Sequence, residues 1–126
     1  MTPISITTHD RCHVATILNE NLLEGAIINY VFRDLDIAAE ASGNRLVINF
    51  KNVNRCSSSV LGKLIGLRKR IRNEEGRLTL CCCGEQMHEA MNVTGLRRLF
   101  DVIDAEDEAI EYMRHDVVGW KPGAER

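Results

Sequence analysis

Two runs dense in β-branched and apolar residues, RLVINF at 45–50 and RLTLCCC at 77–83, stand on either side of a segment in which Val60, Leu64, Leu67 and Ile71 recur at helical spacing. Strands that stay apolar on both faces belong inside a sheet that is covered on both sides. A helix between two such strands reads as a crossover joining parallel neighbours, right-handed when both lie in one sheet. That pattern confines the chain to an α/β layer.

The flanking segments extend it. Residues Ile4 to Thr8 and His13 to Leu18 read as two short strands around a polar turn at His9, Asp10 and Arg11. Leu22, Ala26, Ile27, Tyr30, Val31, Leu35 and Ala38 then fall at helical spacing, which predicts a helix to about Ala41, stopped by Ser42, Gly43 and Asn44. Residues 51–56 are a polar loop. The second helix is expected from near Ser57 to about Glu74, with Leu61 and Ile65 beside its apolar stripe and Gly76 beyond its end. A shorter helix follows at about 85–92 with Met87, Ala90 and Met91 inward, broken by Thr94 and Gly95. A brief edge strand at 101–103 and a last helix, Ala105 to Arg114, with Ala109, Ile110 and Met113 on one side, complete the order β-β-α-β-α-β-α-β-α. This predicts a mixed sheet of about five strands covered by about four helices, antiparallel at its N-terminal edge. At 126 residues the chain suits one core. That domain is expected over 1–114, with an irregular tail at 115–126.

Several function classes fall away. A formal net charge of −2 does not suit a general nucleic-acid or membrane-surface binder. The N-terminal MTPISITTHD lacks the basic and apolar regions of a secretory signal, and no apolar run is long enough for a membrane span, so a cytoplasmic location is expected. Cysteines at 12, 56, 81, 82 and 83 match neither a disulfide framework nor a zinc pattern and read as reduced, packed thiols. His9 and His13 fall across a strand–turn–strand rather than on one helix face, and no metal site is expected. Cys56 sits at a loop–helix junction that favours a thiolate, yet nothing in the sequence places a histidine or carboxylate beside it. The acidic residues Asp101, Asp104, Glu106, Asp107, Glu108 and Glu111 suit the N-terminal end of the last helix. Neither catalysis nor a cofactor is expected.

The informative stretch is Asn54-Arg55-Cys56-Ser57-Ser58-Ser59-Val60-Leu61-Gly62-Lys63-Leu64, where a loop hands over to the second helix. A serine at this position serves as an N-cap, its hydroxyl accepting a bond from a first-turn amide. One would suffice; three are present. They read either as a cap with two incidental neighbours or as a modification site. A phosphate here would sit at the positive end of a helix and leave it folded, while adding about −1.5 to −2 charges to the surface. The nearby Arg68, Lys69, Arg70 and Arg72, with Lys63, read as a solvated helix face or as a docking surface for an acidic partner. Gly62 and Gly66, four apart, would admit a close partner or pack tightly on the sheet.

The run INFKNVNRCSSSVLGKLIGLRKRIRNEEGRLTL at 48–80 resembles the central signature of STAS domains of the bacterial anti-anti-sigma type, in which Asp-Ser-Ser-Gly-Leu-Gly opens a helix. MNVTGLRRLFDVIDAEDEAIEYM at 91–113 is similar to that family's Thr-Gly-Leu-x-x-Leu-Phe followed by an acidic helix. The resemblance covers about residues 4–114. It implies an anti-sigma factor antagonist that acts as a protein-interaction switch. The partner would be an anti-sigma factor that is also a serine kinase of the histidine-kinase-like ATPase type, with a serine phosphatase resetting the switch. Aligned on Leu61 and Gly62, Ser58 takes the place of the phosphorylated serine, with Ser57 and Ser59 as fallbacks. Ser57, Ser58, Ser59, Gly62, Lys63, Gly66 and Arg70 would form the docking face. Ser57 stands where the family has Asp and Val60 where it has Gly, and the loop Asn19-Glu20-Asn21 lacks the family's Gly-x-Leu-Asp. These departures favour an alternative, a STAS scaffold module that works without phosphorylation.

Overall fold

In chain order the elements are β1 (Ile4–Thr8), β2 (His13–Ile17), β3 (Asn21–Leu22), α1 (Gly25–Ala41), β4 (Arg45–Asn49), β5 (Arg55–Cys56), α2 (Ser58–Asn73), β6 (Arg77–Cys81), α3 (Glu85–Thr94), a 3₁₀ turn at Leu96–Leu99, β7 (Asp101–Ile103) and α4 (Glu106–Met113). The structure is a computed structural model and describes residues 3–115. The C-terminal tail expected at 115–126 therefore lies outside the described residues except for His115.

The main sheet has the order β1-β2-β4-β6-β7, with β1 antiparallel to β2 and every other pair parallel. Strand alternation sends Leu46, Ile48, Leu78 and Leu80 to the face covered by α1, α2 and α3, where they join the larger core. Val47, Cys81 and Ile103 face the other way, onto Ala109, Tyr112 and Met113 of α4. Both faces of the central strands are thus buried, as their composition requires. Arg45 and Arg77 fix α4 at its C-terminal end: Arg45 donates to Met113 O, and Arg77 lies 4.7 Å over the Tyr112 ring and donates to the carbonyls of Tyr112 and His115. Gly76 is set by a close approach, because a Cβ there would fall 2.1 Å from Asn44 O.

Several expectations need correction. The first helix begins at Gly25 rather than Leu22, since Leu22 pairs with Cys56 in a small parallel ladder, β3 with β5, where a plain loop was expected. Val31, Leu35 and Ala38 do form the ridge of α1, but Ile28, Phe32 and Ala39 flank it, while Ala26 and Tyr30 face outward. Ile65 of α2 is likewise exposed, and Tyr112 joins Ala109 and Met113 on the buried side of α4 with Ile110 half-buried. The strand β6 stops at Cys81, because Cys82 takes a positive φ of 57° and turns the chain. The third helix runs on to Thr94 and ends at Gly95, whose φ of 73° makes a left-handed C-cap. Among the described residues no helix is long and apolar enough to cross a membrane.

Candidate functional site

The start of α2 is set by the ladder that precedes it. Ser57 N donates to Leu22 O at 2.9 Å, extending the β3–β5 pairing by one bond, and the Ser57 backbone remains extended. The chain turns helical at Ser58, and Val60 N donates to Ser57 O at 3.1 Å. Val60 and Leu61 go straight into the core and fix the first turn from below. On one side, Glu20 O accepts from both Asn54 N (2.8 Å) and Arg55 N (3.2 Å). From the α3 side, Gln86 Oε1 accepts from Cys56 N at 3.2 Å.

Ser57 occupies the N-cap position but does not cap with its side chain. Its hydroxyl instead pairs with that of Ser59, the two oxygens 2.7 Å apart. The expected side-chain cap is not made, and the Val60 amide donates to the Ser57 backbone carbonyl instead. The first turn carries no acidic residue, so its amides present uncompensated positive potential. Ser58 is exposed, and its hydroxyl has no protein partner among the described residues. Ser59 is exposed as well and Ser57 half-buried. The helix therefore offers one free hydroxyl out of three.

Two grooves flank this helix. Between the start of α2 and α3 a largely apolar hollow of about 350 Å³ is lined by Leu61, Ala90 and Val93 together with Ser57, Ser58 and Glu89. Val93 is 80% exposed. Between α1 and α2 a wider groove of about 480 Å³ is lined by Phe32, Gly62, Lys63, Gly66 and Arg70. A Cβ at Gly62 or Gly66 would meet nothing within 4 Å. Tight packing on the sheet is thus not why these residues are small; they open onto the groove. Lys63 is exposed. Arg70 lines the same groove and is engaged within the fold: it forms an ion pair with Asp36 of α1 and donates to Asn44 Oδ1 at 3.2 Å, clamping the two helices together.

Remaining candidates are structural in character. Burial raises the pKa of the Cys56 thiol, opposing the thiolate expected at this junction, and its sulfur contacts Met87 Sδ at 3.9 Å. All five cysteines are unpaired, and no cluster of metal-binding side chains occurs among the described residues. His9 bonds Thr7 Oγ1 at 3.0 Å, and His13 begins β2. In α4, Glu106 accepts from Asn49 Nδ2 at 2.8 Å, tying the acidic helix start to β4. Sequence reasoning missed the contribution of α3 to the site. Placing Met87 and Met91 inward already directs Val93 outward, and that was the available signal.

The sequence profile described as "STAS domain" matches residues 4–109. A curated relative, the anti-sigma F factor antagonist of Paenibacillus polymyxa, is 28% identical over 65 residues, which span 52% of this chain and 56% of that protein. The chain thus matches little more than half the length of that relative. Among solved structures, an anti-sigma-factor antagonist (STAS) domain protein from Planctomyces limnophilus aligns with a TM-score of 0.77 at 19% identity, covering 89% of this chain and 98% of that one. The phosphorylated form of the Bacillus cell fate determinant SpoIIAA aligns with a TM-score of 0.68 at 20% identity, covering 88% of this chain and 99% of that one. At these identities the structural likeness establishes the fold.

Proposed function

The chain belongs to the STAS domain family, and from that membership we propose that it is an anti-sigma factor antagonist working as a cytoplasmic binding switch at the start of α2. In this reading the unmodified protein docks on an anti-sigma factor that is also a serine kinase of the histidine-kinase-like ATPase type. Transfer of a phosphoryl group to Ser58 ends the contact, and a serine phosphatase restores it. The observation that carries this is the state of the three hydroxyls: Ser57 and Ser59 bond to each other, while Ser58 is exposed and unpaired. An outward hydroxyl is what a kinase needs to reach its acceptor.

The physics of the switch follows from position. A phosphate on Ser58 would lie at an acid-free helix start, where backbone amides favour negative charge, so the fold would persist. A partner seated over this turn and the adjoining hollow, which Ser58 helps to line, would instead meet a bulky, strongly hydrated phosphate. Binding of Ser58→Asp to the kinase by titration calorimetry tests this. A clear loss of affinity is expected, and unchanged affinity would refute it.

A second reading is a STAS scaffold that assembles without phosphorylation. Ser57 in the place of the family's Asp favours it, because its hydroxyl is spent on Ser59 and presents no carboxylate to a kinase. Mass spectrometry after incubation with kinase and ATP separates the two.

A further inference from the structure

We propose that two copies of this chain pair edge to edge through β1, antiparallel about a two-fold axis at Ile6. Among the described residues the first strand is the outer strand of the sheet, with β2 on one side and no strand on the other. Two bonds fix which of its backbone groups point outward. Leu18 N donates to Pro3 O and His9 N to Cys12 O, each at 2.9 Å, so at Pro3 and His9 the backbone faces β2. In an antiparallel pair this orientation alternates along the strand. Ser5 and Thr7 therefore bond to β2, opposite Thr16 and Val14, while Ile4, Ile6 and Thr8 turn their N–H and C=O groups to the open edge.

That outward set is symmetric about Ile6 and so complementary to itself. In a two-fold pairing Ile6 exchanges both bonds with its counterpart, and Ile4 aligns with Thr8 in each direction. Such an isologous contact closes on two copies and leaves no further edge at β1. Nothing in the strand opposes it: Ile4–Thr8 contains no charge and no proline, the usual devices that blunt an edge.

Side chains supply the apolar part. Ile6 is 46% exposed, and Ile37 of α1, beside it, is 56% exposed. With Ile4 and Ala41 they line a shallow groove of about 370 Å³ along the edge, in which Asp34 is the charged residue. Edge pairing sets Ile6 against its counterpart and brings the two grooves side by side across the axis. None of this depends on the role of Ser58.

Sedimentation velocity from micromolar to near-millimolar concentration tests the proposal. A reversible, concentration-dependent dimer is expected, and Ile6→Lys and the milder Ile6→Thr should each weaken it, the lysine by about tenfold or more. Register is read separately by cross-linking. Ile6→Cys should join to itself under mild oxidation above the background of the native cysteines, because paired Cα atoms about 5.5 Å apart lie within disulfide range. Thr7→Cys, which would lie opposite Ser5, should not. A wild-type chain that stays monomeric throughout, a dimer indifferent to Ile6→Lys and Ile6→Thr, or equal cross-linking at Thr7 would each overturn the proposal.

Discussion

The side-chain oxygens of Ser57 and Ser59 stand 2.7 Å apart, and this pairing leaves the exposed Ser58, between them, as the hydroxyl of the three without a partner among the described residues. The three serines are therefore not equivalent despite being consecutive. Ser58→Asp is expected to weaken binding to the anti-sigma kinase by about tenfold or more while stabilising the fold by roughly 0.5 kcal/mol, since it adds a carboxylate to an acid-free first turn. Calorimetric titration and urea unfolding on the same variant should move in opposite directions. If both fell together, the loss of binding would be a folding defect.

Gly62 and Gly66 lie on exposed helix with open space where a Cβ would stand. Gly62→Ala and Gly66→Ala are each expected to raise stability by about 0.5–1 kcal/mol, measured by urea denaturation. Gly66→Gln should fold equally well while filling the groove between α1 and α2. Undiminished kinase binding by that variant would place the groove outside the partner's footprint.

Val60 stands where the family carries glycine, and here it is fully buried at the base of the first turn of α2. Val60→Gly is expected to cost about 3 kcal/mol, combining lost apolar burial with the low helix propensity of glycine. A thermal midpoint within a few degrees of wild type would show that this side chain is not an anchor of the helix start.

Alkaline pH should weaken the fold through thiols that folding desolvates, the buried Cys81 and the half-buried Cys83. Burial pushes the Cys83 thiol from its ordinary 9.0 up to about 12, and burial also raises that of Cys81. In the unfolded chain these groups release their protons near pH 9, while the folded chain still holds them. Unfolding is therefore increasingly favoured from about pH 9 up to pH 12, and below pH 8 these thiols impose no slope. The urea midpoint should fall between pH 8 and pH 10, and fall less in Cys83→Ala. An identical fall in that variant would assign the slope to other groups.

The framework of the fold is legible in the chain because strand and helix periods are local. The runs at 45–50 and 77–83 and the stripe Val60, Leu64, Leu67 and Ile71 announce a covered parallel sheet, and the structure forms it from Arg45–Asn49, Ser58–Asn73 and Arg77–Cys81. Contacts made across sequence are what the pattern hides. Arg70 reads as one of several surface cations until Asp36, on another helix, claims it. Leu22 reads as the first turn of a helix until Cys56 pairs with it. The serine cluster was visible as a cluster, yet which hydroxyl is free depends on the rotamers of its neighbours, and no spacing rule encodes those. Val93 lines a shared hollow only because the fold brings α3 beside the start of α2, which no local spacing encodes.

The most direct test of the switch is site mapping of the phosphate. The chain is incubated with ATP and the serine kinase proposed as its partner, and the product is fragmented by tandem mass spectrometry. A single phosphoryl group on Ser58 is expected, unaffected by Ser57→Ala or Ser59→Ala and absent from Ser58→Ala. No incorporation, or incorporation that persists in Ser58→Ala, would contradict it.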